Sequence, residues 1–408
     1  MKKFFALLLS LAMVLALVAC GQKDPTPDTP DTPDDPQTKV EYKVAMITDY
    51  GDITDQSFNQ TTYEACKAFA EDNSIEFSYF KPAGDNTADR VAMIEKAVND
   101  GFNVIVMPGY AFGGAIVEAA PEFPDVKFIA LDVAAGDLLE TAVAKAGEAY
   151  DYTPENWDLN KYVDMSNVYC AVYQEELCGY MAGYAAVKLG YKNLGFLGGM
   201  SVPAVVRYGY GFVQGVDAAA ADLGLTDVKL NYIYGGQFFG DADITAVMDT
   251  WYQGGTEVVF ACGGGIYTSA VDAAKKANAK VIGVDVDQAG VIAKYAGVDG
   301  MTVTSAMKGL YPATYDALTD IVLNGKWADY VGKIETLGLV SGDDPEANYV
   351  QIPMGEGTQW SDSFTQDDYK AMVADMYNGV ITVSNDTTKA ASDFATVITV
   401  DDQGAIKG

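Results

Sequence analysis

The stretch ITDYGDITDQSFNQ, residues 47–60, sets three carboxylates (Asp49, Asp52 and Asp55) just ahead of Ser57, Phe58 and Asn59. Acids close other apolar runs as well: Asp132 ends KFIALD, and Asp285 and Asp287 follow KVIGV. Paired carboxylates can act as acid and base on a glycosidic bond. Carboxylates can also ligate calcium, but a spacing of three does not match the alternating ligands of a calcium loop. The chain has no histidine, which removes Ser-His-Asp and Cys-His nucleophilic chemistry. No GxxxxGK(S/T) phosphate loop occurs, and Gly209-Tyr210-Gly211 with Gly215 has the wrong spacing for a dinucleotide fingerprint and lies in a helical pattern. Binding is what remains. Acids at strand ends suit the hydroxyl or amine donors of a neutral or cationic ligand, and they repel phosphate and carboxylate. No catalytic residue, metal or cofactor is expected.

Residues this far apart need a scaffold to bring them together. From Tyr42 onward, short apolar runs such as VAMIT (44–48), NVIVMP (103–108) and KFIALD (127–132) alternate with amphipathic stretches. One of these is TADRVAMIEKAVNDG, with Val91, Ile94 and Val98 on one face and Gly101 as its stop. Continuous apolar runs between helices indicate parallel sheets covered on both faces. The pattern repeats after 149–166, with NVYCAVY, NLGFLGG, KLNYIY, EVVFACGGG and KVIGVD. The expected fold is α/β, two doubly wound parallel-sheet lobes joined by a hinge that the chain crosses more than once. The expected lobes are 41–166 plus 302–330 and 167–301 plus 331–408. In open parallel sheets ligands bind beyond the C-terminal strand ends. Those ends carry Asp49, Pro108-Gly109-Tyr110, Asp132, Gly263-Gly264-Gly265 and Asp285. Ser57 and Gln60 match a capping box, which leaves Phe58 either the first core residue of a helix or an aromatic platform in the cleft.

The acids outnumber the bases 57 to 26, a net charge of −31, and no Lys/Arg cluster suits a nucleic acid. At the start, Lys2 and Lys3 precede FFALLLSLAMVLALVAC, which has signal-peptide length. Leu17-Val18-Ala19-Cys20 resembles a bacterial lipobox, so residues 1–19 are expected to be removed and Cys20 to carry lipid. Residues 20–40, rich in Pro, Asp and Thr, read as an extended disordered tether. Cys66 and Cys262 read as small core residues. Cys170 and Cys178 stand on a strand and the following helix, an arrangement that disfavours pairing.

The opening motif resembles that of the basic membrane protein family, the lipid-anchored substrate-binding proteins of ABC importers. The resemblance continues through GYAFGGAI, QEELCGYMAGYAA, NLGFLGG, VFACGGG, GVDVDQ, TSAMKG and GLVSG, in the family's order. It implies a type I periplasmic-binding-protein-like fold on the extracytoplasmic face of the membrane, with an ABC permease and its ATPase as partners. It also implies a nucleoside ligand, a purine by preference, stacked between aromatic rings. On that basis Phe58 becomes one stacking face, and Phe238, with Phe239 as the alternative, becomes the other. Asp49, Asn59 and Asp132 would line the first-lobe side, and Asp285 and Lys308 would hold the sugar. Tyr110, Gly263 and Gly264 at the strand ends complete the expected binding set. Around Phe238 the chain has one residue more than the family pattern, and Ile266 replaces the family's threonine after the glycines. The family also contains receptors for other small molecules, and a neutral polyol or amine remains the alternative ligand. An extracellular nucleoside hydrolase or a ligand sensor are the alternatives of other classes.

Overall fold

A computed structural model describes residues 41–49 and 51–407. The expected signal segment 1–19, Cys20 and the tether to residue 40 lie outside the described residues. The apolar runs form strands β1 (Lys43–Ile47), β2 (Glu76–Phe80), β3 (Val104–Pro108), β4 (Lys127–Leu131), β5 (Val168–Tyr173), β6 (Asn193–Gly198) and β7 (Lys229–Tyr234). They continue as β8 (Val258–Cys262), β9 (Lys280–Asp285), β10 (Thr302–Lys308), β11 (Ile334–Leu337), β12 (Val350–Gln351) and β13 (Thr399–Ala405).

A six-stranded sheet of order β11-β5-β4-β3-β1-β2 is parallel throughout. A seven-stranded sheet of order β12-β10-β9-β8-β6-β7-β13 is parallel except for β12. Within them, β2-β1-β3-β4-β5 and β7-β6-β8-β9-β10 are one arrangement used twice. In each, the strand order reverses beside the first strand, and this opens a crevice at the strand ends. The central strands are apolar on both faces because helices cover both, so Val44 to Ile47 and Val104 to Met107 are fully buried.

Strand pairing corrects the expected lobe boundaries. β5 was expected to open the second lobe, but Phe128 pairs with Val168 and the strand lies in the first sheet. β11 follows it there. Conversely β10, expected in the first lobe, pairs with β9 in the second sheet. Partners across a sheet are chosen by hydrogen bonding and side-chain fit, which the order of segments along the chain does not reveal. The chain therefore crosses between lobes after β5, after β10 and after β11. The three crossings touch. Gln174 N–H donates to Leu337 O at 3.0 Å, Gly309 N–H to Tyr349 O at 2.6 Å, and Tyr349 N–H to Gly338 O at 3.0 Å.

The glycines of the weak dinucleotide-like run serve packing. The helix Pro203–Asp222 lies so close to the helix Glu175–Lys188 that a Cβ at Gly211 would meet Glu176 O at 2.0 Å. At Gly215 it would meet Tyr180 O at 2.1 Å. The four cysteines among the described residues, Cys66, Cys170, Cys178 and Cys262, are free and buried. No helix among the described residues is long and apolar enough to cross a membrane.

Candidate functional site

The strand ends of both sheets open onto one cavity of about 410 Å³. Its lining includes every residue expected from the sequence: Asp49, Phe58, Asn59, Tyr110, Asp132, Phe238, Gly263, Gly264, Asp285 and Lys308. Asp49, Tyr110 and Asp132 follow β1, β3 and β4, while Gly263, Asp285 and Lys308 follow or end β8, β9 and β10. Backbone geometry supports these placements. Gly109, at φ +124°, leaves room beside Asp49, where a Cβ would come within 3.0 Å of its carboxylate. Asp132 and Asp285 end the fourth strand of each lobe's repeated order and both adopt left-handed backbone, φ +59° and +65°. Such conformations are uncommon outside glycine and concentrate at functional sites.

The start of the helix Phe58–Asn73 is built differently from the expected capping box. Ser57 makes no side-chain cap. Asp55 performs that role by accepting the N–H groups of Ser57, Asn59 and Gln60 at 2.9, 2.9 and 3.1 Å. A carboxylate compensates the positive helix end better than a hydroxyl does. Ser57 is thereby released for the other lobe, and its Oγ donates to Asp285 Oδ2 at 2.5 Å. Asn59 is buried, and its Nδ2 donates to Asp55 at 3.1 Å while its Oδ1 has no hydrogen-bond partner.

Lys308 is the electrostatic centre. Its ammonium reaches Asp132 at 2.5 Å, Glu175 at 3.4 Å and Asp285 at 3.9 Å. It also lies over the rings of Phe58, Tyr173 and Tyr208 at 4.8, 5.2 and 5.7 Å. Burial alone would lower the lysine pKa, but the three carboxylates outweigh it and hold the group well above its usual range. Burial pushes Asp132 up to about 6 against the pull of Lys308, with Glu175 and Asp285 adding to the rise. Its Oδ1, like that of Asn59, is a buried acceptor without a partner. An unmet buried acceptor is costly unless a ligand supplies a donor.

The two rings differ in setting. Phe238 packs on backbone, since a Cβ at Gly199 would lie 2.4 Å from its ring and one at Gly263 2.8 Å. Phe239 also borders the cavity but is 56% exposed. Phe58 is half-buried, packing partly against the core and partly bordering the cavity.

The family description "ABC transporter substrate-binding protein PnrA-like" (Bmp) matches residues 42–343. The chain belongs to the Bmp family. It is the substrate-binding protein of an ABC transporter. A relative described as the ABC transporter nucleoside-binding protein BmpA, from Lactococcus lactis, is 26% identical across 82% of this chain and 88% of its own length. An uncharacterized lipoprotein of Pyrococcus abyssi is 27% identical across 74% of this chain and 69% of its own. Among solved structures, an ABC-transporter solute-binding protein from Aeropyrum pernix superposes with a TM-score of 0.60 at 21% identity, covering 86% of this chain and 90% of that one. It shares the two-lobed fold.

Sequence reasoning missed several residues of this Bmp cavity. Arg207 lines it and its Nε donates to buried Glu175 at 2.7 Å. Its signal was a lone cation inside the apolar run PAVVRYGYGF. Tyr208, beside it, donates to Asp285 Oδ1 at 3.2 Å. Asp137 also lines the cavity, and burial pushes its carboxyl up to about 7 although Ala134 N–H donates to it at 2.7 Å. In the sequence it is one acid in the first turn of a helix, with nothing to distinguish it.

Proposed function

We propose that the protein captures a nucleoside, a purine by preference, between its lobes and hands it to an ABC permease driven by its ATPase. One observation carries this reading. Phe58 from the first lobe and Phe238 from the second border the same cavity, together with the unpartnered acceptors of Asn59 and Asp132. Stacking on aromatic rings contributes on the order of 1–3 kcal/mol per base. The free acceptors call for N–H donors on the edge of the ligand. Asp285 with Lys308 offers acceptor and donor to sugar hydroxyls by charge-assisted hydrogen bonds. The abundance of acids disfavours a phosphorylated ligand. The Lactococcus relative's description as nucleoside-binding agrees with this assignment.

The lobes are held together by the Ser57–Asp285 and Lys308–Asp132 contacts and by Gln288 Nε2 donating to Gln56 O at 3.1 Å. These contacts couple occupancy of the cleft to lobe closure. We place the mature chain on the extracytoplasmic face of the membrane, anchored by lipid on Cys20. The lipobox-like sequence and the lipoprotein description of the Pyrococcus relative support that anchor. Calorimetric titration of delipidated protein with adenosine, guanosine, inosine, uridine and ribose tests the ligand. Purine nucleosides are expected to bind and ribose alone to bind weakly. Binding of a sugar or amine with none of any nucleoside overturns the assignment.

A further inference from the structure

The segment 384–407 lies beyond the family-matched residues 42–343 and runs along one face of the helix Pro203–Asp222. Gln214 donates to Ser384 O at 2.9 Å and accepts from Ser384 N–H at 2.8 Å. Tyr210 Oη donates to Lys389 O at 2.6 Å. Asp217 accepts the N–H groups of Thr396 and Val397, both at 2.8 Å. Tyr210, Gln214 and Asp217 are spaced i, i+4 and i+7, which is a single helix face. The segment then becomes β13, pairs in parallel with β7, and ends with Ile406 N–H donating to Tyr234 O at 2.8 Å.

That path delivers Lys407 to the turn that carries Phe238. Lys407 O lies 2.5 Å from where a Cβ on Gly236 would stand, so the two backbones touch. The Lys407 ammonium pairs with Asp241 and reaches Asp243 at 3.6 Å. Asp241 in turn accepts from Gln237 Nε2 at 2.8 Å and from Ile244 N–H at 2.9 Å. One carboxylate thus joins Lys407, the residue preceding Phe238 and the start of the next helix.

We propose that Lys407 is a positioning residue for ligand binding, holding the 235–241 turn through Asp241 so that Phe238 stays seated on Gly199 and Gly263. This rests on the proposed stacking role of Phe238. The test uses the full chain with K407E, which sets a carboxylate against Asp241 and Asp243, and with K407R. Hydrogen exchange at residues 236–240 is expected to quicken several-fold in K407E. Nucleoside affinity should fall on the order of five-fold, the scale of a partly exposed ion pair, with the melting temperature nearly unchanged. K407R should restore both readouts. Unchanged exchange overturns the proposal, as does quickened exchange with unchanged affinity. An affinity loss accompanied by global destabilisation without local quickening also overturns it. If the unaltered protein binds no nucleoside, the ligand assignment falls by itself, and the exchange arm still decides whether Lys407 holds the turn.

Discussion

Lys308→Met would test the charge balance at the centre of the cavity. The lysine side chain is 3% exposed and its ammonium sits among Asp132, Glu175 and Asp285, the nearest at 2.5 Å. Methionine keeps most of the stem against the rings but removes the charge. Three largely buried carboxylates then lose their shared counter-ion, although Arg207 still pairs with Glu175. Deleting one partner of a buried pair typically costs about 3–5 kcal/mol, mainly because the remaining charge is left uncompensated. Urea unfolding at about pH 7 should therefore show a lower midpoint with little change in slope. The pH dependence has a definite sign. Without Lys308 the Asp132 carboxyl, already raised by burial, loses the cation that holds it down and rises further above its unfolded value, so the native state binds more protons than the unfolded state and stability falls as pH rises. Asp132 already stands near 6 in the presence of the lysine. The deficit should thus shrink between about pH 7 and about pH 5, and vanish below the unfolded carboxyl values of about 4. A midpoint equal to that of the unaltered protein at about pH 7, or a deficit that ignores pH, would refute the reasoning.

Phe58→Ala and Phe238→Ala should each weaken nucleoside binding by about 1–3 kcal/mol and Phe239→Ala by much less, read by calorimetry; a larger loss at Phe239 would make it the second stacking ring. Asp55→Ala should destabilise the protein by about 1–2 kcal/mol, the cost of losing a helix cap, whereas Ser57→Ala should leave stability closer to normal and weaken ligand-linked closure. The reverse ranking in urea unfolding would return the cap to Ser57. Asp137 has its carboxyl raised to about 7, so its ionisation costs stability as pH rises from its unfolded value towards that point. Asp137→Asn should match the unaltered protein near pH 4 and exceed it near pH 8 in thermal unfolding; parallel pH profiles would count against a buried carboxyl.

Some of this was legible residue by residue. Runs such as NVIVMP announce a strand covered on both faces because nothing polar in them could face water, and Gly101 marks a helix end through its left-handed backbone, φ +92°. Other features were misread for a local reason. Ser57 and Gln60 have capping-box spacing, yet Asp55, two residues earlier, takes the amides because its charge suits the helix end better. Asp137 and Glu175 were invisible as site residues because each is an ordinary acid near a helix start until burial raises the one and Arg207 pairs with the other.

The sequence by itself determined the period of each element, the doubly wound class and the identity of the polar residues at the strand ends, since these follow from local side-chain patterning and backbone preference. Tertiary structure alone decided which strands share a sheet, which lobe owns β5, β10 and β11, and that Lys308 meets Asp132 across the cleft. Those outcomes depend on long-range pairing and on the low-dielectric surroundings created by burial, and neither is written into any short stretch of the chain.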